Sequence, residues 1–315
     1  NKVSILTLDI YLKMNKINEF KKQPYATIEQ KSPEWLKLRN NYITASSVYK
    51  LFEKNDEYLQ YIKEKASGIS SFKGNEATYF GEVFEPVARE VYMYLTGEHV
   101  EEFGLIVNPD LPYCAVSPDG VTESDRLLEI KCPYSRTITG VIPHHYFHQI
   151  QLQLAVCDCD ECDFLECKFT EISEDEFKSI RQDKSKFICV VKTFNDNTDS
   201  PCEIIPHSQH IVKCYMTGQP STVTNKSIFT RYKHYAQIPK VVKTITDIPD
   251  NGYWIKHPNT TYYKLEFISL QTVNRNVDWV NIHRKELNET IPLVKSIRDD
   301  PKVLNTIKID DECDF

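Results

Sequence analysis

Glycine is scarce in this chain, nine in 315 residues, which is too few for a collagen-like repeat or a Gly-rich linker. No apolar run approaches 18 residues, so a membrane-spanning helix is excluded. The opening stretch, Asn1 to Phe20, alternates apolar and charged side chains and lacks the continuous apolar segment of a secretory signal peptide. An excess of positive charge is missing as well. The 38 Lys and Arg against 45 Asp and Glu leave a formal net charge of −7. That balance argues against indiscriminate nucleic-acid binding and leaves room for a local basic groove. Ten cysteines are spread over the whole length, too thinly for the disulfide scaffold of a small secreted domain. The chain reads as an intracellular, reduced protein.

What is present is enough for a core, with 41% hydrophobic and 26% charged residues, near the globular norm. The length suits two conventional domains, or one domain of about 200 residues with a large elaboration. Three segments are expected: an N-terminal appendage over 1–24, a core over 25–187 and a C-terminal elaboration over 188–315. Ser32-Pro33-Glu34-Trp35 is a helix start, with Ser as N-cap and Pro at the first helical position. Thr44-Ala45-Ser46-Ser47 begins a second helix carrying Val48, Leu51 and Phe52, and Gly81 to Tyr94 has the apolar spacing of a third. After Gly97 the period changes to that of strands, over Phe103–Asn108, Tyr113–Ser117 and Arg126–Cys132. Turns are expected at Asn108-Pro109-Asp110 and Pro118-Asp119-Gly120. A helix over Pro143–Val156 and a strand over Asp163–Phe169 follow, an α/β succession. Farther on, Tyr262–Leu270 reads as a strand, Val277–Ile297 as a long helix, and Asp310 to Asp314 as a fraying acidic tail.

The sharpest chemical signal is Ser117-Pro118-Asp119-Gly120 followed by Leu127-Leu128-Glu129-Ile130-Lys131-Cys132-Pro133. Glu129 and Lys131 stand two apart on a strand and share a face, while Ile130 points to the other. Asp119, on a turn, can meet Glu129 across a hairpin. Two converging carboxylates repel unless a cation sits between them, and an all-oxygen pair suits Mg²⁺. A lysine beside such an ion can orient or deprotonate a water and offset charge on a phosphate. The blander alternative is a surface hairpin with an ordinary Glu/Lys pair.

Four blocks of this sequence resemble, in order, the phage lambda exonuclease and YqaJ-type viral recombinase group of the PD-(D/E)XK nucleases. They are Ser32 to Arg39 running on to Ile43-Thr44-Ala45-Ser46; Gly81-Glu82-Val83-Phe84-Glu85-Pro86-Val87-Ala88-Arg89; the Ser117 to Pro133 block; and Tyr146-Phe147-His148-Gln149-Ile150-Gln151-Leu152-Gln153-Leu154-Ala155. The resemblance implies a restriction-endonuclease-like α/β core, a central mixed sheet flanked by helices, with an added C-terminal region. It implies a Mg²⁺-dependent deoxyribonuclease, with Mn²⁺ as a substitute and two ions per site, digesting linear duplex DNA from a 5′ end in viral recombination, repair or defence. Glu85, Asp119 and Glu129, with the Ile130 carbonyl, are then the metal ligands, and Lys131 and Gln149 serve the water and the scissile phosphate. Arg39, Ser46 and Ser117 match positions that hold a terminal 5′-phosphate, chemistry that suits a guanidinium and two hydroxyls. Double-stranded DNA ends are the implied partner, alongside a single-strand annealing protein or helicase and a homo-oligomeric assembly. From the residues alone, Glu85 equally reads as an i,i+4 partner of Arg89, Gln149 as part of a polar helix face, and Ser46 as an N-cap. Asn40-Asn41-Tyr42 is bulkier than the phage pattern, and the region after Phe187 is additional to it. The Asn-, Ile- and Lys-rich wording of Lys13 to Lys22 suits the AT-rich genome of a large, mimivirus-like DNA virus.

Three further signals carry less. Cys157, Cys159, Cys162 and Cys167 are spaced like an iron–sulfur or zinc set, as in a Cas4-like nuclease, but a strand through Cys162 and Cys167 turns them to opposite faces. His144, His145 and His148 fit a helix start or phosphate contact better than a metal site. Ser221 to Thr246 holds Lys226, Arg231, Lys233, Lys240 and Lys243 with aromatic residues between them and no acid. It is either a DNA-backbone surface or a solvated basic loop. An endonuclease and a non-catalytic DNA-end-binding module remain the rival functions.

Overall fold

The computed structural model describes residues 16–53, 56–69, 74–182, 188–195, 210–217 and 261–307. Helix α1, Pro33–Arg39, starts where its cap dictates: the Ser32 hydroxyl accepts from the Trp35 amide at 3.2 Å, with Pro33 in the first turn. The stretch after it departs from the expected helix. Ile43–Thr44 is a short strand, β1, followed by a 3₁₀ turn, Ala45–Ser47, and a single helical turn, Lys50–Glu53. Thr44 and Ser47 hydrogen-bond to each other and to the local backbone, the competition that keeps hydroxyl-rich segments out of regular helix. Helix α2 is Asp56–Ser67, and α3 is Glu76–Thr96, capped by Asn75 and stopped by a left-handed Gly97.

Strands β2 (Val100–Glu101), β3 (Ile106–Val107), β4 (Cys114–Val116), β5 (Gly120–Thr122) and β6 (Leu127–Lys131) come next. They do not form one meander. β3 and β4 join β1 in a small sheet ordered β1-β4-β3. β2, β5 and β6 belong to a seven-stranded sheet completed by β7 (Glu161–Ile172), β8 (Ile188–Asn195), β9 (His210–Thr217) and β10 (Thr261–Asn274), in the order β2-β5-β6-β7-β10-β8-β9. Pro118 and Asp119 therefore carry the chain from one sheet to the other. β3 is shorter than expected because Gly104 and Leu105 bond instead to the Ala26 and Tyr25 carbonyls. A Cβ at Gly104 would lie 2.2 Å from the Ile28 oxygen, so only glycine allows that approach.

Helix α4, His144–Cys157, connects β6 to β7, and these two strands run parallel with Glu129 opposite Phe164 and Lys131 opposite Glu166. This β-α-β unit and the antiparallel neighbours make the sheet mixed. Its faces follow the strand alternation. Leu128, Ile130, Leu165 and Cys167 pack under α3 with Phe84, Val87 and Val91. Leu127, Cys162 and Phe164 pack on the opposite side with Ile150 and Leu154 of α4. Ile17 and Phe20 join that second core, as does the C-terminal helix through Leu287, Ile291 and Val294. The expected long terminal helix is two: Trp279–Ile282, then α5, Arg284–Asp299, parted at His283, whose ring stacks on Phe52 at 3.8 Å. The acidic tail and the basic stretch Ser221–Thr246, with Lys226, Arg231 and Lys233, lie outside the described residues.

Candidate active site

The β6 strand places Glu129 on the α4 side of the sheet with 0% exposure. A buried carboxylate is costly unless its oxygens are hydrogen-bonded, and here both are. Lys131 Nζ and Gln149 Nε2, the latter at 2.6 Å, donate to Oε1. Gln153 Nε2 donates to Oε2 at 2.7 Å. Gln149 and Gln153 are one helical turn apart, so α4 presents both amides to one strand residue. Asp119, just before β5, accepts the Ile130 amide on Oδ2 at 2.7 Å. That bond fixes it beside the Glu129–Lys131 edge, and Gly120 lies opposite Leu128 in the same ladder. A side chain at Gly120 would meet Val100 at 2.2 Å, which explains the glycine after the aspartate.

Glu85 comes from α3, on the other face of the sheet, and pairs with Arg89 at 3.3 Å. Arg89 also donates to the Asp119 carbonyl at 3.2 Å and pairs with Glu102 at 2.5 Å, tying α3 to the start of β5. The i,i+4 pair is thus formed, and through Arg89 helix α3 meets the backbone of Asp119. Burial, then repulsion from Glu129 and Glu85, pushes the Asp119 carboxyl well above its ordinary range. Burial also raises Glu85, with Lys31 and Arg89 opposing and Glu129 adding to the rise. Burial alone would lower the Lys131 ammonium, but Glu129 and Asp119 hold it above its usual value. A cleft of about 590 Å³ opens beside Glu85, lined among others by Lys31, Glu82, Arg89 and Glu102.

A second group lies at the α1 end. The Arg39 guanidinium stacks 4.1 Å from the centre of the Trp35 ring, and Nη2 donates to the Ser46 hydroxyl at 3.2 Å. Trp35 Nε1 donates to Ser117 Oγ at 3.2 Å, and Ser117 in turn gives its proton to the Gly104 carbonyl. Arg39, Ser46 and Ser117 are therefore linked, with Trp35 as the bridge. As it stands, the Ser117 proton is committed to the backbone.

Several of these residues carry little signal in the sequence. Gln153 was legible only as the helical neighbour of Gln149. Trp35 was read as a helix start, and nothing in its spacing marks the indole as a bridge. Arg136 carried no signal at all. It pairs at 2.5 Å with the fully buried Glu166, opposite Lys131 on β7. Both cations sit over the Tyr146 ring, Lys131 at 4.8 Å and Arg136 at 5.7 Å. The cysteine set does not converge. Cys157, Cys159 and Cys162 lie in the α4-side core and Cys167 in the α3-side core, all as free thiols. No histidine, cysteine or carboxylate group among the described residues forms a preassembled metal cluster. His144 and His148 instead bond to each other at 2.9 Å, and the Trp279 indole donates to His148 at 3.0 Å.

Residues 34–160 match the YqaJ-like viral recombinase domain, a span that holds Glu85, Asp119, Glu129, Lys131, Gln149 and Gln153 as well as Trp35, Arg39, Ser46 and Ser117. The chain is 26% identical over 320 residues to the uncharacterized protein R354 of Acanthamoeba polyphaga mimivirus, covering 92% of this chain and 55% of that one. It thus spans about half the length of that relative. Among solved structures it is similar to an alkaline exonuclease from Laribacter hongkongensis, at 23% identity and a TM-score of 0.41, covering 65% of this chain and 89% of that one. A phage-related exonuclease from Haemophilus somnus 129PT aligns at 13% identity and a TM-score of 0.43, covering 87% and 99%.

Proposed function

We propose, from the match of residues 34–160 to the YqaJ-like viral recombinase domain, that this protein is a Mg²⁺-dependent deoxyribonuclease. Its substrate is linear duplex DNA, digested from a 5′-phosphorylated end. The observation that carries the reading is Glu129, buried to 0% exposure and held on both oxygens by Lys131, Gln149 and Gln153 beside the raised Asp119 carboxyl. A structural ion pair has no need of two glutamines and a second carboxylate.

The donor set fits a hard divalent ion: carboxylates of Asp119, Glu129 and Glu85, with the Ile130 carbonyl. Asp119 Oδ1 has no hydrogen-bond donor among the described residues, and its other oxygen is already oriented by the Ile130 amide. Upward pressure on Asp119 and Glu85 is what a bound cation would relieve. When bound, the ion supplies Lewis-acid polarisation of the phosphate and activation of a water. The chain's own groups do the rest. Lys131 stays protonated at neutral pH, so it works as a cation and hydrogen-bond donor to charge developing on the phosphate. Gln149 and Gln153 hold Glu129 in one orientation. Arg39, with Ser46, receives the terminal phosphate, joined by Ser117 once its hydroxyl turns from the Gly104 carbonyl, and so places the next phosphodiester at the carboxylates.

Digestion of end-labelled linear duplex and of closed circles in Mg²⁺ tests this. Linear DNA bearing 5′-phosphate should be degraded, 5′-hydroxyl duplex more slowly, and circles left intact. Circles cut as readily as linear DNA would assign the same carboxylates to an endonuclease.

A further inference from the structure

Behind the Arg39 group lies a cationic arrangement that the exonuclease reading does not use. Lys65, buried at the end of α2, donates from Nζ to the Arg39 carbonyl at 2.6 Å and to the Tyr42 carbonyl at 2.7 Å. Arg298, in the last turn of α5, reaches across more than 230 residues of sequence to the same place. Its Nη2 donates to the Lys65 carbonyl at 2.7 Å and the Asn40 carbonyl at 2.9 Å. Its Nε donates to the Ala66 carbonyl and its Nη1 to Asn41 Oδ1, both at 3.3 Å. Neither Arg39, Lys65 nor Arg298 has a carboxylate partner within ion-pair distance among the described residues.

We infer that Arg298 is a positioning residue of the DNA-end anchor: through it the C-terminal helix fixes the Arg39–Tyr42 turn and so sets how well Arg39 meets a terminal phosphate. This rests on the reading of Arg39 as that anchor. The physical argument has two parts. Lys65 and Arg298 grip the carbonyls of Arg39, Asn40 and Tyr42 from two different helices, so the backbone that carries Arg39 cannot rotate without breaking these bonds. Arg39 and Arg298, without a carboxylate partner among the described residues, also keep the turn electropositive, favouring an anion over a carboxylate of the protein itself. Asn41 has a purpose in this frame, since its side-chain oxygen is one of the acceptors that hold Arg298.

The test compares full-length wild type with Arg298→Ala, Asn41→Ala, Arg298→Lys, Arg39→Ala and the Arg39→Ala/Arg298→Ala double variant. Binding to duplex bearing 5′-phosphate or 5′-hydroxyl is read by fluorescence anisotropy in EDTA, and initial rates on both in Mg²⁺. Arg298→Ala should lower the phosphate-to-hydroxyl ratio about tenfold, because small misplacements of a binding group carry such penalties. The rate on 5′-hydroxyl duplex should stay unchanged. Arg298→Lys should recover only part of the ratio, since a point cation cannot span two chain segments as a guanidinium does. Asn41→Ala, an exposed change that leaves the fold alone, should lower the ratio less. The double variant should match Arg39→Ala, since both act on one contact. A general loss of stability would slow both substrates together and leave the ratio where it was. If wild type prefers 5′-phosphate and Arg39→Ala removes the preference, yet Arg298→Ala and Asn41→Ala keep it, the inference is wrong and the exonuclease reading stands. If wild type itself shows no preference, the anchor reading fails and the inference falls with it.

Discussion

Gln153→Met is expected to separate function from stability, because the two terms it removes oppose each other in the fold. Gln153 is fully buried; its Nε2 donates to Glu129 Oε2 at 2.7 Å, while its own Oε1 is buried without a donor. A hydrogen bond to a charged acceptor contributes about 1.5–3 kcal/mol, and an unsatisfied buried polar atom costs about 1–3 kcal/mol. Methionine keeps nearly the same volume, so no cavity follows. Losing the bond and losing the orphaned oxygen then offset each other to within about 2 kcal/mol, a change of no more than several degrees in Tm for a domain of this size. Function has no such compensation. Glu129 loses the donor on Oε2, and loss of such an orienting partner costs roughly 10–100-fold in metal affinity or activity. The assay is a Mg²⁺ titration of linear-duplex digestion with thermal melts in EDTA and in Mg²⁺. The expected result is a half-saturating Mg²⁺ concentration about tenfold higher, a lower maximal rate, and a smaller Mg²⁺-induced rise in Tm. A variant with wild-type Mg²⁺ dependence and rate would refute the orienting role of Gln153. A fall in Tm far beyond several degrees would show that the offset had been misjudged.

Asp119→Ala, Glu129→Ala and Lys131→Ala should each abolish cleavage while duplex binding, measured by gel shift, largely survives; near-normal turnover in a folded variant removes that residue from the mechanism. Ca²⁺ should support binding without cleavage because its looser coordination orients water poorly, and equal cleavage in Ca²⁺ would count against the carboxylate site. Burial, with Arg39 and Arg298 nearby, pulls the Lys65 ammonium down from 10.5 to about 7. Between those values the unfolded chain binds more protons, so stability should rise with pH from about 7 to 10, by at most about 1.4 kcal/mol per pH unit. Lys65→Met should flatten that rise in urea melts from pH 6 to 10, and parallel curves would mean that burial does not depress Lys65. Protein purified without oxygen should be colourless near 400 nm, since Cys167 faces away from Cys157, Cys159 and Cys162; an absorbance band there would reinstate the iron–sulfur reading.

How much of this was legible follows from which signals are local. The Ser32 cap, the α3 apolar face and the Glu129/Lys131 alternation are set by neighbours within a turn or two of chain, so pattern alone recovers them. Ile43–Thr44 is a strand only because Cys114–Ala115 lies parallel to it, a partner some seventy residues away that no local pattern announces. The same holds for the crossing of Pro118 and Asp119 between two sheets, which a sequence shows only as a turn. Long-range side-chain roles were the least readable. Trp35 has the same local appearance whether or not its indole meets Ser117, and Arg298 is one basic residue near a helix C-terminus, a common placement with a purely local explanation. Glu166 is hidden for a different reason: on a strand of mixed polarity, a carboxylate with 0% exposure looks no different from the exposed Glu171.

The covalent path between the two groups bears on the size of the catalytic step. Ser117, which the Trp35 bridge ties to Arg39, and Asp119, which the Ile130 amide fixes beside Glu129, are separated by Pro118 alone. Two residues of extended chain reach at most about 7 Å, and proline removes one backbone freedom from that link. Its ends are secured in different sheets, Ser117 following β4 and Asp119 preceding β5, so neither group can slide relative to the other without disturbing a ladder. Under the exonuclease reading, a terminal phosphate held at Arg39 then meets carboxylates at a distance set by covalent geometry rather than by a flexible loop. Such a link favours removal of the same short unit at every turnover. Arg298 and Lys65 act on the remaining freedom, the position of the Arg39 turn. On that reading, selectivity for the DNA end would be adjustable from the C-terminal helix, whereas the step size would be built into Ser117-Pro118-Asp119 and would not.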